Sequence, residues 1–88
     1  DLPDEALSRF LGRYSVLDGK TVITIERGEK GLLLNPGSGK SAHLFPESEM
    51  TFRIVEGGQI AFTSSETGAV NGFVMYRNGD HKGTRLAN

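Results

Sequence analysis

The chain contains no cysteine. Disulfide bonds, catalysis by a thiolate and metal sites with cysteine ligands are therefore excluded. No apolar stretch approaches the roughly 18 residues that a membrane-spanning helix requires. We therefore expect no membrane span, and the compartment stays unknown at this point.

The chain also lacks an excess of charge of either sign. Ten lysine and arginine side chains nearly balance eleven aspartate and glutamate side chains, for a net charge of -1. A polyanion would find no strong basic footprint on such a protein, so no nucleic-acid partner is expected.

Glycine, in contrast, is abundant, with 12 residues among 88. Glycine pairs with other residues in turn signals at short intervals, and β-prone stretches lie between these signals. The turn signals are Asp18-Gly19, Arg27-Gly28, Pro36-Gly37, Gly57-Gly58, Thr67-Gly68 and Asn78-Gly79. This spacing leaves no room for crossover helices, so it predicts an antiparallel sheet in which successive strands are neighbours.

The fold class predicted is mainly β: a single antiparallel up-and-down meander of about eight strands. Such a sheet hides its edges by curling into a barrel or half-barrel, lipocalin-like in architecture. The predicted strands are Arg13–Leu17, Lys20–Arg27, Gly31–Asn35, Ser41–Phe45, Met50–Val55, Gln59–Ser64, Ala69–Arg77 and His81–Leu86. A slip in the alternation at Asn71-Gly72 indicates a β-bulge. On the last strand, Leu86 is the one clear core residue expected.

A short helix is predicted at residues 3–11. Pro3 can begin it, and Leu7, Phe10 and Leu11 share one face. Residues 1–88 are expected to form one domain, and both ends suggest either a domain excised from a larger multidomain protein or a matured chain.

Phenylalanines on neighbouring strands allow two interpretations. Phe45, Phe52, Phe62 and Phe73 could form the packed core, or they could line a pocket for a small apolar ligand. Either Tyr14 or Tyr76 could border such a pocket or an interface. A third interpretation is an interaction module whose exposed edge strand near Ser41–Phe45 accepts a partner strand.

Residue patterns that would indicate a catalytic, metal-binding or phosphate-binding site are weak in this sequence. His43 and His81 could share a metal with Glu47, Glu49 or Asp80, but no tight ligand spacing exists. Gly39-Lys40-Ser41 resembles the end of a phosphate-binding loop, yet Leu34 stands where that motif needs glycine. Neither G-x-S-x-G nor S-x-x-K occurs, and Glu47-Ser48-Glu49 is typical of a solvated loop. The sequence therefore predicts no catalytic, cofactor-binding or metal-binding residue, and no cofactor.

The order of hydrophobic and turn positions over residues 5–86 resembles a known family. It is similar to the small C-terminal domain of unassigned function that follows many bacterial serine β-lactamase-like and penicillin-binding-protein-like hydrolases. The positions concerned are Leu11-Gly12-Arg13-Tyr14, Val22–Ile25, Leu32–Leu34, Leu44-Phe45-Pro46, Phe52, Ile60-Ala61-Phe62, Gly68-Ala69-Val70, Gly72-Phe73 and Asn78-Gly79.

The resemblance implies a non-catalytic accessory domain, covalently linked to a hydrolase domain whose nucleophile lies in S-x-x-K. It also implies a periplasmic or extracellular location. Tyr76-Arg77-Asn78 matches the Y-x-N triplet of the catalytic domains, but it leads directly into a turn, so we treat the match as a coincidence. The resemblance carries no site residue over to this chain.

Overall fold

The computed structural model describes residues 7–16, 19–29, 31–37, 39–77 and 79–86. Eight strands form in chain order: β1 Gly12–Val16, β2 Thr21–Arg27, β3 Leu32–Asn35, β4 Ala42–Pro46, β5 Thr51–Ile54, β6 Gln59–Ser64, β7 Val70–Tyr76 and β8 Asp80–Arg85. Each strand pairs antiparallel with the next, and β8 pairs with β1. The predicted meander is confirmed, and it closes into a barrel.

The predicted helix is not confirmed. Residues 1–6, where most of it was placed, lie outside the described residues. Among the described residues before β1, Leu7 and Ser8 have helical backbone, and Arg9 and Phe10 form a turn. The Phe10 N–H donates to the Leu7 carbonyl at 3.1 Å, and the Leu11 N–H donates to the Ser8 carbonyl at 3.2 Å, so the chain makes tight turns here. A helix over the predicted range is not among the elements of the described residues. These turns place Phe10 and Leu7 against the sheet, where both are buried.

Alternation along the strands sorts the side chains between the barrel interior and its outer wall. On β2, Ile23 and Ile25 are buried, whereas Val22 is exposed. Leu32 and Leu34 on β3 are likewise buried. Among the residues that the structure describes, the buried side chains of the core are apolar or aromatic: Leu7, Phe10, Tyr14, Val16, Ile23, Ile25, Leu32, Leu34, Ala42, Leu44, Phe52, Ile54, Ile60, Phe62, Val70 and Phe73.

Five aromatic rings occupy the centre of the barrel. Phe62 lies against Phe10, Tyr14, Phe52 and Phe73, with centroids 4.6–5.9 Å apart. These separations are those of rings in direct contact, and two of the pairs cross edge to face at 87° and 81°. These five rings therefore form the centre of the core, and no ligand-sized space separates them.

The predicted bulge is confirmed on β7. Thr63 pairs with Gly72, and Ser64 pairs with Val70, so Asn71 is the additional residue. The bulge lets Val70 and Phe73 both face the interior although they are three positions apart.

Leu86 was predicted as the core residue of the last strand, and this is wrong. Leu86 is only half-buried, and the inward position of β8 is Gly83. Gly83 stands opposite Phe73 in the register. A Cβ on Gly83 would lie 2.5 Å from Cζ of Phe73, so the missing side chain is the space that this ring fills.

The N-terminal turn is fastened to the barrel by Arg85. Its guanidinium donates to the backbone carbonyls of Arg9 (3.0 Å), Val70 (3.2 Å) and Leu11, and it lies 5.9 Å from the ring centroid of Tyr14. The Tyr14 hydroxyl donates to the Phe10 carbonyl at 2.8 Å. The two side chains thus satisfy backbone acceptors of the segment that carries Phe10.

Replacing Arg85 tests this attachment. We expect Arg85→Ala to lower the free energy of unfolding by about 2–3 kcal/mol, since charged hydrogen bonds to the carbonyls of Arg9, Leu11 and Val70 are lost. The free energy of unfolding of Arg85→Lys should lie between those of the wild type and Arg85→Ala, because an ammonium group cannot reproduce the fork of donors that a guanidinium offers. Urea unfolding measures both. The control is Lys82→Ala at an exposed position of the same strand. Equal stabilities for Arg85→Ala and Lys82→Ala would contradict the assignment.

Candidate binding groove on the outer wall

A groove of about 440 Å³ opens on the outside of the barrel, over β3 and β4. Its volume falls within the range of small-ligand sites. The residues that line it are Gly28, Glu29, Gly31, Leu32, Leu33, His43, Leu44 and Phe45. We call it the outer groove.

Strand register explains the walls of the outer groove. Leu33 and His43 are direct partners on β3 and β4, and both side chains point outward. Phe45, two positions after His43, points to the same side. Leu33 and Phe45 are half-buried, so the groove offers apolar surface next to a polar imidazole.

Two glycines bring their backbone close to those side chains. A Cβ on Gly31 would lie 2.5 Å from the Leu44 carbonyl oxygen and 3.7 Å from the Phe45 ring. No side chain fits there, and the backbone of Gly31 runs close to β4. The Gly28 N–H donates to the Gly31 carbonyl at 2.9 Å and closes the turn. Part of the groove is therefore lined by glycine backbone.

Glu56 holds His43 through two hydrogen bonds. The backbone N–H of His43 donates to Oε1 of Glu56 at 2.8 Å, and Nδ1 of His43 lies 2.7 Å from Oε2. An ionised carboxylate only accepts, so Nδ1 is the protonated nitrogen of this contact. The other ring nitrogen, Nε2, is then an acceptor when the imidazole is neutral and a donor when it is charged.

These contacts favour the ionised form of Glu56. The hydrogen bond with the His43 side chain, and then the one from its backbone, lower the pKa of the Glu56 carboxyl from 4.5 to about 2. Both side chains remain open to solvent, at 59% for His43 and 37% for Glu56.

Arg53 borders the outer groove from β5. Its guanidinium carbon lies 5.9 Å from the ring centroid of Phe45, its direct partner in the register. Phe45 was grouped with the other phenylalanines as a residue of the packed core or of a pocket. Its place in the core is wrong, whereas it does line the outer groove. Ala42 and Leu44 occupy the inward positions of β4, so alternation turns Phe45 outward.

The residues considered for a metal site do not converge. His43 bonds Glu56, whereas a ring nitrogen of His81 lies 3.1 Å from the Arg77 carbonyl. Glu47 accepts a hydrogen bond from Gln59 at 3.0 Å. In the part of the chain that the structure describes, no three His, Asp or Glu side chains form a group that could hold a metal ion.

The remaining candidates are placed as follows. Residues 39–41 lie between β3 and β4 and lead into a strand, not into the helix N-terminus that a phosphate-binding loop requires. Tyr14 is fully buried in the core, and Tyr76 is 42% exposed on β7. The pairing of Glu56 with His43 was not anticipated from the sequence.

Comparison of the chain with protein-family models, with curated proteins and with solved structures found no significant match. Within the described ranges, no helix is both long and apolar enough to cross a membrane.

The low pKa of Glu56 has a consequence for stability. The carboxyl of Glu56 has a lower pKa in the folded than in the unfolded chain. The stabilisation that its ionised form gives the folded state is therefore complete above about pH 4.5 and is lost as the pH falls toward 2. We expect Glu56→Gln to be less stable than the wild type at pH 6, with the difference shrinking from pH 4.5 to 2.

Urea midpoints across pH 2–6 measure this difference. Glu66→Gln, at an exposed turn position, is the matched control and should track the wild type. A gap between the wild type and Glu56→Gln that stays constant down to pH 2 would show that the His43 contact does not favour the carboxylate.

Proposed function

We propose that this barrel is a non-catalytic accessory domain, attached to a serine hydrolase domain of the β-lactamase-like type, and that it contacts this partner through the outer groove. The resemblance seen in the sequence motivates the choice of partner. The observation that carries the proposal is the contrast between an interior filled by rings and an apolar groove on the outer wall.

The filled interior favours this function over carriage of a small apolar ligand. Phe62 contacts four other rings, and the fully buried Phe10 and Phe52 contact each other at 5.1 Å. A ligand inside the barrel would have to displace well-packed side chains, which costs more than an open cavity would.

Closure of the sheet disfavours the strand-addition alternative. The strand predicted as an exposed edge is β4, which pairs with β3 through Leu44 and Ala42 and with β5 through Leu44 and Phe45. Its backbone is engaged on both sides, so recognition at this place uses side chains.

The exposure of the His43–Glu56 pair supports a binding role. Electrostatic catalysis is strongest where groups are held in a water-excluded site of low dielectric constant. This pair lies at the surface, and its geometry suits orientation of a hydrogen-bonding group on a partner.

Expression of residues 1–88 alone tests the absence of catalysis. We expect hydrolysis of β-lactams and of simple esters at no more than the rate of an unfolded sample of the same protein. Turnover that purifies with the folded barrel, and that His43→Ala reduces, would refute the proposal.

Hydroxyl-radical footprinting tests the contact surface. Phe45 and Leu33 should be oxidised more slowly in the full-length protein than in the isolated chain, because the partner domain covers them. Tyr76, which is exposed on another part of the wall, is the internal control. Equal oxidation of Phe45 in both forms would contradict use of the outer groove.

The proposal also predicts S-x-x-K in a domain encoded upstream of Asp1.

A further inference from the structure

We infer that the space taken by the Phe10 ring is a binding site for a neutral monocyclic aromatic molecule, and that residues 7–11 are a strap that keeps this site closed. In the structure the strap fills the site with its own side chain, since Phe10 is completely buried. The inference concerns the interior of the barrel, so it does not depend on the proposed use of the outer groove.

Phe10 differs from the other four rings of the core in how its backbone is held. Those four rings lie on strands whose backbones are hydrogen-bonded to neighbouring strands: Tyr14, Phe52, Phe62 and Phe73. The backbone hydrogen bonds that the structure describes within the strap are local, from Phe10 to Leu7 and from Leu11 to Ser8. The barrel closes by pairing of β8 with β1, so the strap is not one of its strands.

Side chains attach the strap to the barrel. The guanidinium of Arg85 donates to the carbonyls of Arg9 and Leu11. The Tyr14 hydroxyl donates to the Phe10 carbonyl, and the Arg9 side chain donates at 3.2 Å to a carbonyl in the turn between β6 and β7. Removal of the Arg85 guanidinium therefore weakens the attachment and leaves every ring of the core in the chain.

Gly12 is the junction between the strap and β1. Its φ of 142° is one that residues with a side chain rarely adopt. A Cβ on Gly12 would lie 3.4 Å from both Nε and Nη2 of Arg85. The strap thus joins the barrel at a glycine, next to the guanidinium that fastens it.

The surroundings of the Phe10 ring favour an uncharged aromatic ligand. Its centroid lies 4.6 Å from that of Phe62 and 5.1 Å from that of Phe52, which are distances of rings in direct contact. Among the described residues no charged side chain is buried, so an ion would lose its hydration here without gaining a partner. Apolar cavities of about 150 Å³ in protein interiors bind benzene, which is the ring that a phenylalanine carries.

Phe10→Ala tests the site, because the variant lacks the ring and added benzene supplies one. The carbonyl of residue 10 remains, so the Tyr14 hydroxyl keeps its acceptor. We expect the variant to unfold at a lower urea concentration than the wild type. Benzene at about ten times its dissociation constant should raise the folding equilibrium constant of the variant roughly tenfold. In isotopically labelled protein, benzene should shift the amide signals of Phe52 and Phe62 in a saturable way.

Phe45→Ala is the matched control, since it removes the same ring from the outer wall. Benzene should leave the urea midpoints of this variant and of the wild type unchanged. Benzylammonium, which carries a charge on a similar ring, should not stabilise Phe10→Ala. If Phe10→Ala is unfolded by itself, benzene should restore the dispersed spectrum of a folded barrel. The absence of any gain in stability or folding with benzene would overturn the inference.

Arg85→Ala tests the strap in a chain that keeps its Phe10 ring. Because the strap is held less firmly in this variant, benzene should displace Phe10 from the site. The amide signals of Phe10 and Leu11 should then move to the positions of an unstructured chain. The signals of Leu44 on β4 and Ile54 on β5 should keep their positions, since the strands stay paired around the bound ring.

Lys82→Ala, at an exposed position of β8, should leave the Phe10 and Leu11 signals in place at every benzene concentration. Arg85→Lys keeps a charge and should show the displacement at a higher benzene concentration, so it replaces Arg85→Ala if that variant is unfolded. Signals of Phe10 and Leu11 that stay fixed in the folded Arg85 variant, up to the solubility of benzene, would overturn the strap. The turnover and footprinting experiments decide the proposed function separately.

Discussion

The contact between Phe10 and the rings inside the barrel is the interaction on which the rest of the structure depends. Eight strands of four to seven residues enclose a small space, and Phe52, Phe62 and Phe73 from three consecutive strands enter it. Phe10 comes from outside the sheet and packs at 4.6 Å from Phe62, so the turn before β1 becomes part of the core.

Because side chains fill the interior of the barrel, a binding function has to use the outer surface. Each inward position of the strands is committed to packing, whereas the outward positions carry the polar and charged residues. The outer groove lies where this alternation meets two glycines: Leu33 and Phe45 are apolar although they face outward, and Gly31 lets its backbone run close to β4 beside them. The same register that builds the core therefore also builds the candidate site.

Much of the fold could be predicted from the sequence, because β-strand alternation is local. In β2, the positions of Ile23 and Ile25 identify the inward face and that of Val22 the outward face. The irregular spacing from Val70 to Phe73 identifies the bulge. The inward role of Gly83 could not be predicted by searching for apolar side chains, since its contribution is the space that it leaves for Phe73.

The candidate site was harder to predict, because it depends on which residues become neighbours across strands. Gly28 was interpreted as a turn residue and Gly31 as the first residue of a strand, and both roles are local. The contact between His43 and Glu56 requires the β4–β5 register, in which the Val55 N–H donates to the His43 carbonyl at 2.9 Å. Alternation within β4 alone would have placed Phe45 outward, so that error was avoidable.

Xenon binding tests the central claim most directly, because xenon enters empty apolar cavities in proteins. In crystals of the protein under xenon pressure, the account predicts no xenon atom among Phe10, Tyr14, Phe52, Phe62 and Phe73. The variant Phe62→Ala, which removes the central ring, should acquire one there. A xenon atom among these rings in the wild type would contradict a filled interior. It would favour the hypothesis that the barrel carries a small apolar ligand.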